Sequence, residues 1–166
     1  FNAKTIVRIC GDCPFVDPLI IDKLLLLLNN GDYDYVSNII KRTFPDGLDV
    51  EVFSFDVLEK AWKLAKSKYE REHVTPYILK NKKFKKYNYV FKKDLSKIRL
   101  TIDEKIDLKQ LKTIYPYLKN GKKFGIDEIH KLYTKDKKLF SINSLLKTNE
   151  GAKLNLGQKM WKRAKY

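Results

Sequence analysis

Two aspartates follow runs of residues that look like buried strands. Asp12 comes shortly after the run KTIVRIC, and Asp103 ends the run KIRLTID. Carboxylates at the ends of neighbouring strands can hold a hard cation such as Mg²⁺, which prefers oxygen ligands and completes its octahedron with phosphates and water. The sequence therefore predicts a magnesium site formed by Asp12 and Asp103. A helix cap or a turn is the alternative for each residue, because Asp is common in both.

The only two cysteines, Cys10 and Cys13, flank Asp12 and form a C-x-x-C pair. A zinc site needs about four ligands, but there is no second cysteine pair, and His73 and His130 are distant in sequence. A redox pair is disfavoured, because PFVDP follows Cys13 instead of a helix that would lower the pKa of a thiol. We expect reduced, buried or half-buried thiols.

Charge is distributed unevenly along the chain. Residues 1–60 contain 6 basic and 10 acidic side chains, whereas residues 61–166 contain 29 basic and 10 acidic ones. The basic part could attract RNA, anionic lipid or phosphorylated small molecules, or it could reflect a compositional bias toward Lys. Specific nucleic-acid binding is not expected, because 30 of the 35 basic residues are Lys and base recognition favours the Arg fork. The longest apolar run, LLLLL, is too short to span a bilayer, so we expect a cytoplasmic protein without a membrane span.

Apolar periodicity predicts strands that alternate with helices. The strand-like runs are KTIVRIC, YDYVSNI, VEVFSF, KYNYVF and KIRLTID. The helix-like runs are DPLIIDKLLLLLNNG with Asp17 as its cap, Asp56 to Tyr69, EHVTPYILKN with Pro76 in its first turn, EKIDLKQLKTIYPYL up to the Pro116 region, GIDEIHKLYTKD and LFSINSLLKT. This order predicts an α/β fold with a mostly parallel sheet flanked by helices.

Four stretches, VRICGDCPFVDP, FPDGLDVEVFS, REHVTPYI and RLTIDEKIDL, occur in this order over about 100 residues. Together they resemble the cytidylyltransferase family that includes the spore coat polysaccharide biosynthesis enzymes and is related to the acylneuraminate and 3-deoxy-manno-octulosonate cytidylyltransferases. The resemblance implies a Rossmann-like nucleotide-sugar transferase fold. It also implies transfer of CMP from CTP to a sugar acid, polyol or related hydroxyl, with release of pyrophosphate.

The same resemblance implies roles for individual residues. Asp12 and Asp103 match the metal-binding, catalytic acids of the family. The loop PDGLDVE matches a substrate pocket, in which Asp49 and Glu51 are favoured over Asp46 because PDG is also a strong turn signal. The remaining candidates near the acceptor come from REHVTPYI and are Arg71, Glu72 and His73.

For two of these residues the alternatives stay open. Arg71 could steady an acceptor carboxylate or phosphate as a charge-assisted fork, or it could be a solvated residue at a helix start. His73 could donate a hydrogen bond to the acceptor, or it could be a structural group at a helix start.

The basic, Gly-containing loop that wraps the CTP phosphates in this family has no counterpart among the 7 glycines. We therefore expect residues 1–150 to be the carboxyl-terminal portion of a cytidylyltransferase-like domain, inactive alone, and residues 151–166 to be a basic tail. CTP, a sugar or polyol acceptor and a second copy in a homodimer are the expected partners. A non-catalytic basic binding module of the same fold is the alternative. A glycosyltransferase is disfavoured, because no Asp-x-Asp pair follows a strand.

Overall fold

A computed structural model describes residues 2–119 and 125–146; the proposed basic tail lies outside these ranges. The described part combines strands and helices, as the predicted α/β class requires. Its strands are β1 (Thr5–Arg8), β2 (Tyr35–Ser37), β3 (Glu51–Ser54) and β4 (Lys86–Asn88). Its helices are α1 (Pro18–Asn30), α2 (Phe55–Leu64), α3 (Lys68–His73), α4 (Pro76–Lys80), α5 (Lys105–Lys119), α6 (Ile126–Lys135) and a 3-10 helix at Lys137–Phe140.

The sheet has the order β1-β3-β2-β4 and is mixed rather than mostly parallel. Strand β3 pairs antiparallel with β1 and with β2, and only β2 and β4 pair in parallel. The prediction of a mostly parallel sheet was therefore wrong, although β1, β2 and β4 run in the same direction. The reason lies in the connections. Helix α1 carries the chain from β1 to a strand of the same direction, whereas no helix separates β2 from β3, so the chain returns antiparallel.

The run KIRLTID does not form the predicted strand. A single bridge joins Arg99 to Asp46, and the segment then crosses the backbone of Asp12. The Ile102 amide donates to the Asp12 carbonyl at 2.9 Å, and the Thr101 hydroxyl donates to the same oxygen at 3.2 Å. The segment therefore packs against the turn of Asp12 immediately before Asp103, without belonging to the sheet.

Helix α1 begins and ends as predicted. Asp17 is the N-cap, since its carboxylate accepts from the Leu19 amide, and Gly31 follows the last turn. The predicted helix over residues 56–69 is instead two helices. Ser67 and Glu70 form a capping box that starts α3, because two orphan donors are satisfied there by side chains. The break therefore follows from local hydrogen bonding rather than from apolar periodicity.

The later helices agree more closely with the sequence. Helix α4 starts at Pro76 and α6 starts after Gly125. Helix α5 continues through Pro116 to Lys119, past the predicted end. The run LFSINSLLKT is described only to residue 146, and of that part only Leu139 and Phe140 are helical, as the end of the 3-10 helix.

Apolar side chains pack on both sides of the sheet, because alternate residues of a strand point to opposite faces. On one side Val36 and Val52 join a core that includes Leu24 of α1 and Ile114 of α5. On the other side the smaller core contains Tyr35, Phe53, Val57, Ala61, Ile78 and Phe84. Among the helices of the described ranges, none combines the length and the apolar character needed to cross a bilayer. The side chains at the end of the sheet where β1 and β2 finish and β3 starts at Glu51 are polar. The candidate site lies at this end of the strands.

Candidate active site

The turn PDG presses against the segment that leads to Asp103. The backbone amide of Leu48 donates to the Pro45 carbonyl at 3.3 Å, and this hydrogen bond closes the predicted turn. Asp46 exchanges two backbone hydrogen bonds with that segment, to the Ile98 carbonyl at 2.9 Å and from the Leu100 amide at 2.7 Å. Gly47 has a φ of +99°, and a Cβ on it would lie 2.5 Å from the Leu100 carbonyl carbon. Glycine is therefore required both by the backbone conformation and by the close approach.

The side chains of this turn join a network of acids and arginines. Arg42 binds Asp49 through two parallel hydrogen bonds of 2.5 and 2.7 Å, the bidentate geometry that makes such pairs strong. Asp46 is buried between two guanidinium groups, at 3.4 Å from Arg42 and 3.5 Å from Arg99. The loop therefore contributes two carboxylates with different surroundings, one clamped by an arginine fork and one buried.

Asp46 makes the stability of the protein pH-dependent. Burial raises its pKa to about 6 from an ordinary 3.8, the nearby charges of Asp49 and Asp103 act in the same direction, and Arg42 and Arg99 oppose the rise. Because the folded state holds the proton more tightly, this contribution to stability is complete below pH 3.8 and is lost as the pH rises through about 6. We expect the free energy of unfolding to fall by about 2 to 3 kcal/mol across this window.

Urea titrations at pH values from 4 to 7 measure this change. The Asp46→Asn variant is the control, since it keeps the shape of the side chain and cannot ionise, so its fall should be smaller by that amount. An equal fall in both proteins would contradict the assignment.

Asp103 is held from two sides. Its carboxylate accepts from Arg99 at 2.5 Å, and its backbone amide donates to Asp107 at 3.1 Å. Asp107 is fully buried. Its carboxylate accepts hydrogen bonds of 2.9 Å from the Nε and from one terminal nitrogen of Arg99. Burial raises the pKa of Asp107, but the hydrogen bonds from Arg99, Asn143 and the backbone outweigh it and lower the pKa to about 2. Asp107 is therefore ionised wherever the protein is folded under ordinary conditions.

Glu51 lies beneath the same edge at the start of β3. It is 2% exposed, and it forms an ion pair with Arg8 on the neighbouring strand. The Tyr35 hydroxyl donates to its second oxygen at 2.6 Å, and burial and the Glu51 charge raise the pKa of that hydroxyl. Ser37 is also buried and is the register partner of Glu51 on β2. Glu51 is thus mainly enclosed by protein groups.

Asp12 lies in the turn after β1, half-buried, with the Cys13 thiol donating to its carboxylate at 3.4 Å. The Cys13 amide donates to the Cys10 carbonyl at 3.2 Å, so the C-x-x-C pair spans one turn. Both thiols are free, as predicted. Burial raises both thiol pKa values, and the charge of Asp12 adds to the rise. Neither cysteine therefore has the environment of a reactive thiol.

The donor chemistry of this edge fits a magnesium ion. In residues 2–119 and 125–146, no three or more His, Cys, Asp or Glu side chains are grouped to hold a metal. Instead, hydrogen bonds from residues 101–102 to the Asp12 carbonyl hold the segment that leads to Asp103 against the turn of Asp12. Asp103 is 51% exposed at its side chain, and Mg²⁺ commonly takes only one or two protein carboxylates, with phosphates and water as the other ligands.

The candidates from REHVTPYI lie elsewhere. Arg71 donates to the carbonyls of Trp62 and Ala65 at 3.2 and 3.4 Å, and it lines an apolar cavity of about 410 Å³ beside Phe55. That cavity is at the opposite end of β3 from Glu51. His73, which ends α3, packs its ring against Tyr69, and Glu72 is exposed. A role for these three residues near an acceptor stays a prediction.

Several residues of the network were not among the sequence candidates. They share a charged or hydrogen-bonding side chain that binds one of the predicted acids or, for Asn143, a partner of such an acid, and they are Arg8, Arg42, Arg99, Asp107, Tyr35 and Asn143. A usable signal existed, because only 5 of the 35 basic residues are Arg, and three of those five lie here. In a chain this rich in Lys, an Arg marks a position that needs the planar fork.

Comparison with known proteins decides the family of this chain. A model of the family described as cytidylyltransferase matches residues 1–150, which include every acid and arginine of the network. The chain belongs to the cytidylyltransferase family. A solved structure of a cytidylyltransferase from Leptospira borgpetersenii serovar Hardjo-bovis is 35% identical and superimposes with a TM-score of 0.76, over 82% of this chain and 58% of that one. The mixed α/β fold is therefore that of a cytidylyltransferase.

An uncharacterized protein of Methanocaldococcus jannaschii is 49% identical to this chain over 114 residues, which cover 66% of this chain and 45% of the relative. The chain thus spans about half the length of the relatives it matches.

Proposed function

We propose that the protein transfers CMP from CTP to a hydroxyl of a sugar acid, polyol or related acceptor, and releases pyrophosphate. The observation that carries the proposal is the contact between the turn of Asp12 and residues 101–102, which brings the segments of Asp12 and Asp103 together. Membership of the cytidylyltransferase family supports nucleotidyl transfer as the reaction class. A cytoplasmic enzyme of surface polysaccharide biosynthesis that forms a homodimer is the setting we propose.

The residues of the network have separate tasks in this proposal. Asp12 and Asp103 hold the magnesium ion, which neutralises the triphosphate and orients the attacking oxygen when bound. Asp49, presented by Arg42, accepts hydrogen bonds from acceptor hydroxyls. Glu51 fixes the strand beneath that loop through Arg8 and Tyr35, so its part in acceptor binding is indirect. Buried charge pairs keep these positions fixed before a substrate arrives, which lowers the reorganisation needed for reaction.

Pyrophosphate release tests the proposal. We expect the protein expressed from its complete reading frame to release pyrophosphate from CTP and Mg²⁺ with at least one member of a panel of sugar acids and polyol phosphates. Asp12→Ala should lower the rate at least about 100-fold, since loss of one charge-stabilising group costs this much in other active sites. Asp22→Ala, an exposed position on α1, is the control and should leave the rate unchanged.

If Asp12→Ala releases pyrophosphate as fast as the parent, Asp12 is a turn residue and the proposed mechanism is wrong. Binding to polyanions that weakens with salt, and that CTP and Mg²⁺ do not alter, would then support a non-catalytic basic module instead. The net charge of +15 is the observation that favours this second function.

A further inference from the structure

We propose that Arg99 is a positioning residue for Asp103, and that Asp107 and Asn143 act through Arg99 to fix the Asp103 carboxylate for metal binding. The inference rests on the proposed function, in which Asp103 is a metal-binding acid. It assigns a task to the most heavily hydrogen-bonded side chains of the network, which themselves need not touch metal or substrate.

Asp107 fixes the orientation of the Arg99 guanidinium, and the same terminal nitrogen, Nη2, donates to both Asp107 and Asp103. Its Nε and one terminal nitrogen bind the two oxygens of Asp107, both at 2.9 Å. Asn143 donates to Asp107 at 2.7 Å and to the Arg99 carbonyl at 3.2 Å. Arg99, Asp107 and Asn143 are all at most 8% exposed. The fork therefore has one orientation, because a planar guanidinium bound in this bidentate way cannot rotate without breaking both bonds.

Asp103 differs from the residues that hold it, because its own side chain is half exposed. An exposed Asp samples several rotamers, and that freedom would be lost on binding a metal. Here the hydrogen bond from Arg99 to one carboxylate oxygen selects a rotamer, and the amide of Asp103 is fixed by Asp107. Arg99 thus occupies one carboxylate oxygen, which leaves the other oxygen for a ligand.

Arg99 also connects the two halves of the site. The same guanidinium lies 3.5 Å from Asp46. Asp46 belongs to the turn that precedes Asp49, the residue proposed to bind the acceptor substrate. Two bridging backbone hydrogen bonds tie this turn to the segment of Arg99. Displacement of Arg99 should therefore disturb Asp103 before Asp46. The side chain of Asp103 is half exposed, whereas Asp46 is buried and also lies beside Arg42.

Binding of Mn²⁺ alone tests the inference without turnover. The binding is measured by electron paramagnetic resonance, as the decrease of the signal of unbound Mn²⁺. Arg99→Lys keeps the charge and removes the fork. We expect it to raise the Mn²⁺ dissociation constant about tenfold or more, the usual effect of losing a residue that orients a metal ligand. Asp22→Ala is the control, since Asp22 is exposed on α1 and lies outside the network, and its Mn²⁺ affinity should equal that of the parent.

A second variant keeps the test valid if Arg99→Lys does not fold. Asn143→Ala removes the hydrogen bonds from Asn143 to the Arg99 carbonyl and to Asp107. We expect it to weaken Mn²⁺ binding by about threefold, less than Arg99→Lys does. In both variants the Mg²⁺ concentration for half-maximal pyrophosphate release should rise more than the maximal rate falls. A purely structural role would lower the amount of active protein and leave that concentration unchanged.

The outcomes separate the two proposals. If Asp103→Asn loses Mn²⁺ binding and a folded Arg99→Lys or Asn143→Ala variant binds Mn²⁺ like the parent, the positioning role is wrong and the proposed function stands. If the parent does not bind Mn²⁺, or if Asp12→Asn and Asp103→Asn bind it unchanged, the metal site of the proposed function is wrong, and the positioning role is wrong with it.

Discussion

Replacement of Asp107 by Ala should lower the free energy of unfolding by about 3 to 5 kcal/mol, the cost of removing one partner of a buried ion pair. The carboxylate is fully buried, and it accepts hydrogen bonds from Arg99, Asn143 and the backbone amides of Asp103 and Glu104. Alanine would leave these donors without their common acceptor inside the protein, where water cannot replace it fully. Chemical denaturation of both proteins at pH 7 measures the difference.

The same residue has a signature at low pH. Because the folded pKa is lowered to about 2 from an ordinary 3.8, the stability that ionised Asp107 contributes is present above pH 3.8 and disappears as the pH falls through about 2. The parent should therefore lose stability between pH 4 and pH 2, and Asp107→Ala should show a smaller loss. Asp127→Ala is the control, because Asp127 is exposed at 59% of its side chain and its removal should change stability by less than about 0.5 kcal/mol. If the Asp107→Ala and Asp127→Ala variants were equally stable, the buried hydrogen bonds of Asp107 would not contribute the stability assigned to them.

Replacement of Asp17 by Ala should cost about 2 to 4 kcal/mol, because this single carboxylate caps two helices. One oxygen accepts from the Leu19 amide at 2.8 Å in α1, and the other accepts from the Ile126 amide at 2.9 Å at the start of α6. Asp17 is only 1% exposed, and a Cβ on Gly125 would come within 2.6 Å of its second oxygen. The loss of two caps and the burial of two unpaired amides add up to more than an ordinary cap.

Asp17→Ser distinguishes the two caps. Its hydroxyl can still accept from Leu19 but is too short to reach Ile126, so we expect about half of the loss seen with Ala. Thermal or urea unfolding of the parent, Asp17→Ser and Asp17→Ala should give this order. If Asp17→Ser were as unstable as Asp17→Ala, the α6 contact would carry the whole effect, and if it equalled the parent, that contact would contribute nothing.

The sequence by itself determined the features that depend on neighbouring residues. Asp17 and Pro18 start α1 and Gly31 follows its end, and the PDG turn closes at Gly47. The motifs also identified the cytidylyltransferase family, because short stretches in a fixed order are a property of the chain alone. The assignment of Asp12 and Asp103 to a metal remains a prediction, although the two segments do come together.

Only the tertiary structure decided how these features combine. Strand β3 lies between β1 and β2, so the sheet is mixed, and strand order depends on long-range pairing that no local pattern encodes. The arginines of the network bind acids that are distant in sequence, as when Arg8 meets Glu51 across the sheet. Asp107 looks like an ordinary residue of the first helical turn, yet it is buried and accepts hydrogen bonds from Arg99, Asn143 and the backbone. Sequence shows which groups can ionise or donate, but their depth and their partners are set by the packing of the whole chain.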